Sequence, residues 1–253
     1  MKIEKIKKTG KKYKILLSDG SEIKTYDDVI LNYGLLYHKT IDSDLLNKIN
    51  NDNNYYEIYY KTVNYITKRL RSEKEINEYI DKNKVTKKDK EKLIKKLKEI
   101  NLINDLNFTK AYIADKINLS NDGLEKIKKN LLAHDIPIDI IDNEIVKVDN
   151  NCLQEKLKKL IIKKVKNSKY TGYKLKFKIV NELINLGYSQ SDILEVYDTI
   201  DLDDNNNLKK EYDKIYKKLN IKYQGKELER KIKTKLYNKG FSIDEINKVI
   251  ENN

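Results

Sequence analysis

Large apolar residues recur in triplets along most of this chain: Ile76, Ile80 and Val85; Ile127, Leu131 and Ile136; Ile179, Leu183 and Tyr188; Ile232, Leu236 and Phe241. In each triplet the second residue follows the first by four positions and the third follows it by nine, and the first residues stand 51, 52 and 53 positions apart. Residues four apart share one face of a helix, whereas the third falls beyond the helix end. A spacing of this length predicts a small helical unit copied along the chain, each copy burying its stripe against its neighbours, rather than one closed core.

The residues around each triplet define a corner and a new start. Gly187 lies four positions after Leu183 and directly before Tyr188, the arrangement of a Schellman cap in which Tyr188 packs back on Leu183. Leu236, Gly240 and Phe241 repeat it. Lys84 and Asp135 occupy the glycine slot of the first two units, where a left-handed backbone costs about 1 kcal/mol more; strained or altered corners are expected there. After the corners stand Thr86 with Asp89, Pro137, Ser189 with Asp192, and Ser242 with Glu245, all helix starts, and Ser72 with Glu75 forms the same capping box ahead of Ile76. Asp105 reads as the N-cap of a helix carrying Phe108 and Tyr112. Each unit thus holds a tight helix-turn-helix preceded by one more helix. The third and fourth also share Tyr-x-Gly-x-x-Leu-x-x-Lys-Ile, from Tyr170 and from Tyr223.

The first forty residues follow period two instead. Lys2 to Lys8, Lys12 to Leu17 and Glu22 to Tyr26 alternate around Thr9-Gly10 and Asp19-Gly20, which predicts a three-stranded meander. Asp27-Asp28 is expected to cap a short helix through Asn32, ended by Gly34; Asp42 starts another through Ile49, and Asn50 to Asn54 reads as a polar linker. The division expected is 1–54 for the meander and short helices, then three-helix units at 55–101, 102–150, 151–204 and 205–253, with a loose joint at Asp201 to Asn207. The fold class is mainly α: a tandem array of four three-helix repeats behind a small β-meander.

Composition narrows the chemistry. One cysteine, Cys152, excludes a disulfide scaffold and a cysteine zinc site and suggests a reducing compartment. No stretch approaches the roughly 20 apolar residues of a membrane span, and a monomeric cytoplasmic protein is expected. No phosphate-binding glycine loop occurs, and His38 and His134 have no partner at ligand spacing. Neither catalytic residues, metal nor cofactor are expected, so the chain is read as a non-enzyme. The net charge of +13 favours a polyanion or an acidic protein surface, set against the plainer reading of a solvated, lysine-rich helical surface.

Longer strings carry a family resemblance. Arg71-Ser72-Glu73-Lys74-Glu75-Ile76 and Leu102-Ile103-Asn104-Asp105-Leu106-Asn107-Phe108-Thr109-Lys110-Ala111-Tyr112 closely resemble the first- and second-repeat signatures of the RecX family of regulatory proteins. The pairs Gly187-Tyr188-Ser189 and Gly240-Phe241-Ser242 look like its later repeats, and Tyr33-Gly34-Leu35 behind a meander is similar to the extension of its longer members. The chain departs from the family at Asn121, Asp135 and His38. The resemblance implies three-helix repeats that bind the RecA filament on single-stranded DNA, dock in its groove, and lower ATP hydrolysis, strand exchange and co-protease activity. The other reading of the residues is a basic helical array that binds single-stranded nucleic acid directly.

Candidate partner-binding residues are Arg69 and Arg71, two of only three arginines, because a guanidinium forks onto carboxylate or phosphate. Lys74 is added, with a basic patch of Lys126, Lys128 and Lys129. The plainer reading pairs the arginines with a carboxylate of their own unit and leaves the lysines as a solvated face. Ser72, Glu75, Asp105, Gly187, Ser189, Gly240 and Ser242 are read as structural caps. Tyr55, Tyr56, Tyr59 and Tyr60 read as a staple between the N-terminal part and the first unit.

Overall fold

A computed structural model describes residues 1–10, 12–83, 85–168, 170–200 and 204–251. The chain is mainly helical, with tandem three-helix repeats behind a small antiparallel sheet ordered β1-β2-β3. It separates into two compact units, Met1–Ala111 with His134–Ile136, and Tyr112–Ala133 with Pro137–Asn253.

The first unit begins with β1 (Ile3–Thr9), β2 (Lys12–Leu17) and β3 (Glu22–Tyr26), the meander expected from period two. Thr9 pairs with Lys12 across the first turn and Leu16 with Glu22 near the second, where Gly20 takes a φ of +83°. Ile15, Leu17, Ile23 and Thr25 are buried, so the sheet has one face turned inward. The helices α1 (Asp27–Asn32), α2 (Ser43–Ile66), α3 (Glu73–Asp81) and α4 (Lys87–Glu99) share one hydrophobic cluster with it. A three-stranded ribbon this small needs such a partner to be stable.

Two expectations fail here for a stated reason. The polar run from Asn50 to Asn54 is no linker: α2 passes through it as one helix, capped by Asp42, whose Oδ1 accepts from the Leu45 N–H at 2.7 Å. Its polar side chains bond to the N-terminal elements. Thr25 Oγ1 donates to Asn53 Oδ1 at 2.7 Å and the Tyr33 hydroxyl to Asp52 Oδ2 at 3.0 Å. Nor do Asp27 and Asp28 cap α1, which has no side-chain cap. Asp28 accepts instead from the Tyr60 hydroxyl at 2.6 Å, and Asp27 pairs with Lys8.

The tyrosine staple is present. Tyr60 stacks on Tyr26 with centroids 5.1 Å apart, and Lys96 stands over Tyr56 and Tyr59 at 5.1 and 4.4 Å. Burial pushes the Tyr55 hydroxyl up to about 12 and that of Tyr60 well above its ordinary value. These phenols act as apolar bodies at neutral pH.

In the second unit follow the rest of α5 (Asp105–Leu119), then α6 (Leu124–Ala133), α7 (Ile138–Ile145), α8 (Asn150–Lys166), α9 (Gly172–Asn185), α10 (Gln190–Asp198), α11 (Asp204–Leu219), α12 (Gly225–Lys239) and α13 (Ile243–Glu251). Of the 201–207 joint, residues 201–203 lie outside the described residues, and α11 opens at Asp204. The twelve anchors behave alike: eleven are buried and Val85 is half-buried against the first cluster. The two glycine corners have the Schellman geometry. Gly187 and Gly240 take φ of +89° and +112°, and the Tyr188 and Phe241 N–H groups donate to Leu183 O and Leu236 O at 3.1 and 3.4 Å. Asp135 is forced to the same left-handed region, φ +59°, as is Asn101, which the sequence reading did not single out. Lys84, the other expected strained corner, lies outside the described residues.

Candidate functional site

The start of α3 gathers most of the residues singled out in the first unit. Ser72 is fully buried; its hydroxyl accepts from the Glu75 N–H and the Glu75 carboxylate accepts from the Ser72 N–H, both at 3.2 Å. The same carboxylate takes Arg69 Nη2 at 2.6 Å and Arg71 Nη1 at 3.4 Å. Arg71 is 13% exposed and lies 3.9 Å above Tyr65, which stacks on Tyr79 at 4.1 Å. Its charge is therefore spent inside the fold. Arg69, 59% exposed, keeps most of its guanidinium in water.

Asp105 corrects one expectation. The N-cap of α5 is Asn104, whose Oδ1 accepts from the Asn107 N–H at 2.9 Å, while Asp105 turns to α3 and accepts from the Glu73 N–H at 2.9 Å. It satisfies an orphan donor of α3 rather than of its own helix. Burial raises its pKa, opposed by that N–H. His134 closes the group from the next repeat. Its Nδ1 is 3.3 Å from Ser72 Oγ and its ring meets Phe108 edge-on at 5.3 Å.

In the second unit, Lys126 pairs with Asp122 at 2.7 Å and Lys128 with Asp142, while Lys129 is exposed and has no ion pair among the described residues. Lys126, with Lys116, holds the Asp122 carboxyl below its usual range. The sequence reading missed Lys156, whose half-buried ammonium donates to Ile117 O at 2.8 Å and Lys116 O at 3.3 Å near the end of α5. Burial lowers its pKa. No spacing rule announces a lysine that caps a helix from another repeat.

A common geometry joins these observations: the corner of one repeat meets the first turn of the middle helix of the repeat before it. In the first unit Lys74 Nζ donates to Asp135 Oδ1 at 3.3 Å. In the second, the Gly123 and Glu125 N–H groups donate to Leu186 O and Gly187 O at 2.7 and 3.0 Å, and a Cβ on Gly123 would stand 2.4 Å from Gly187 O. Next, the Thr171 N–H donates to Lys239 O at 2.8 Å, and Lys174 Nζ to Asn238 O at 3.3 Å. In the second unit, helix N-terminal donors thus meet carbonyls of a helix C-terminus at a spacing only glycine permits. Lys74 and Lys126 are therefore junction residues. The expected caps Ser189 and Ser242 accept from the Asp192 and Glu245 N–H groups at 3.1 and 3.3 Å.

Among the described residues no cluster of three or more His, Cys, Asp or Glu is placed to hold a metal ion, and no helix is long and apolar enough to cross a membrane. Within each unit, three-helix modules pack corner to turn with basic side chains on their rims, which defines a helical-repeat protein.

The comparisons agree with that class. The family model described as RecX, third three-helix domain, matches residues 203–250. A Regulatory protein RecX of Streptococcus agalactiae is 28% identical over 97% of this chain and 97% of its own, and one of Lactococcus lactis subsp. cremoris is 28% identical over 98% and 97%. A crystal structure of a regulatory protein RecX superposes with a TM-score of 0.66 at 23% identity, covering 78% of this chain and 98% of its own. RecX from Lactobacillus salivarius gives 0.54 at 25%, covering 57% and 95%. Over nearly its whole length the chain is similar to regulatory proteins of the RecX family.

Proposed function

We propose that this chain binds the RecA recombinase filament on single-stranded DNA and modulates it, mainly by inhibition, lowering its ATPase, strand-exchange and co-protease activities. The observation that carries the reading is likeness over nearly the full length to proteins named Regulatory protein RecX, joined to tandem helical repeats. Packed helices stand about 8–10 Å apart. Four units, taken at 55–101, 102–150, 151–204 and 205–253, could touch successive protomers of a helical polymer and gain from multivalency. On this reading the protein acts as a cytoplasmic monomer without catalysis of its own. The partner-facing candidates are Arg69 and Lys129, whose charges are the most accessible of the six singled out, with Lys74, Lys126 and Lys128 at the rims.

The test is co-sedimentation with RecA filaments assembled on single-stranded DNA. The wild-type chain is expected in the pellet, and Arg69→Glu with Lys129→Glu to shift it several-fold toward the supernatant at unchanged helicity. Wild-type protein that stays in the supernatant contradicts the proposal. Pelleting with bare DNA alone would favour the direct nucleic-acid reading.

A further inference from the structure

The outward face of α9 gathers exposed aromatic rings that elsewhere among the described residues stand singly. Phe108 and Phe241 are 4% and 2% exposed, yet Phe177 is 69% exposed, and Tyr173, one turn earlier, is 58% exposed. Residues four apart are neighbours on a helix, so the two rings stand side by side. Tyr237 of α12 is 46% exposed. Lys174 Nζ lies 6.0 Å from the Tyr173 centroid and 5.5 Å from that of Tyr237, so the two rings flank one cation. Five aromatic side chains stand exposed among the described residues, and three of them are here. One exposed ring is ordinary on a protein surface, but rings gathered around a shared cation form a patch, and patches mark contacts.

The repeat makes the contrast sharper. One period of 53 residues maps Tyr173 and Phe177 of α9 onto Lys226 and Arg230 of α12, both exposed. Arg230 is the third of three arginines in the chain and shares its helix face with Lys226 and Tyr237 by spacings of four and seven. Two copies of one module thus carry rings in one and cations in the next, at the same places. From Lys226 to Tyr237 the helix rises about 16 Å, enough for several nucleotides.

We propose that this face of α9, continued along α12, is a track for single-stranded polynucleotide: Tyr173, Phe177 and Tyr237 stack on bases, and Lys174, Lys226 and Arg230 neutralise phosphates. Exposed rings interleaved with cations suit a flexible polyanion whose bases are unpaired, since every base has a π face and every linkage a charge. A folded acidic protein surface would call for the cations alone. The inference deepens the function proposed above by giving the chain its own contact with the DNA strand, and it is tested without recombinase so that the two can fail separately.

The experiment is fluorescence anisotropy of a labelled 20-mer of thymidine, titrated with the full chain between 50 and 200 mM salt. The wild type is expected to bind with an affinity that falls as salt rises. Tyr173→Ala with Phe177→Ala is expected to raise Kd at least tenfold at an unchanged melting temperature. Phe177→Leu, which keeps an apolar side chain without a π face, moves it in the same direction, and Arg230→Ala reduces the salt slope by about one. No binding by the wild type overturns the inference and leaves co-sedimentation with RecA filaments as it was. A ring variant that binds the oligonucleotide like the wild type also overturns it. If that variant loses only filament binding, the face contacts protein.

Discussion

Gly240→Val is expected to leave the last two repeats unfolded or nearly so under conditions where the rest of the chain keeps its helices. Two costs add at this position. The backbone takes a φ of +112°, and a Cβ would stand 2.1 Å from Thr171 O, in a junction held by the Thr171 N–H on Lys239 O. Left-handed strain in a β-branched residue costs about 1–3 kcal/mol, and forcing an atom into a packed contact about as much again. Gly225 separates the two. Its φ is +52°, but a Cβ there meets no atom within 4 Å, so Gly225→Val should bear only the backbone cost. Urea unfolding followed by circular dichroism, with hydrogen exchange to locate the loss, checks both. Equal costs for the two substitutions would mean that the corner-to-turn contact contributes nothing.

Glu75→Ala is the second large effect. One carboxylate answers Arg69, Arg71 and the Ser72 N–H, and Arg71 has little water to fall back on. Its Nε is already buried without a partner. Removing the carboxylate strands that charge and opens the capping box of α3, for an expected loss of about 3 kcal/mol. Replacing both partners, Glu75→Leu with Arg71→Met, should recover much of it, because the uncompensated charge causes the loss and the pair itself contributes little. A denaturant midpoint unchanged in Glu75→Ala would refute this account of Arg71.

What could be read before any coordinates existed was whatever local chemistry fixes. The Schellman glycines, the Ser72 and Ser242 boxes and the period-two meander are each settled by a few adjacent residues, and the spacing of the anchors carried the repeat. What escaped depends on partners far along the chain. Asn53 and Asp52 look like linker residues until Thr25 and Tyr33 are seen to donate to them. Asp105 looks like the cap of its own helix until the Glu73 N–H is placed beside it. Arg71 looks like a docking residue until Tyr65 covers it. The same holds for the exposed rings of α9: no adjacent residue marks Phe177 as exposed, and the packing around it does.

The proposed role requires docking that changes what the recombinase does, and steady-state ATP hydrolysis by RecA on single-stranded DNA reads this most directly. With this chain added well below one copy per RecA protomer, hydrolysis is expected to fall severalfold, because a regulator lodged in a cooperative polymer acts on more protomers than it touches. Hydrolysis unchanged at equimolar chain, with both proteins folded and the DNA saturated, would contradict the account.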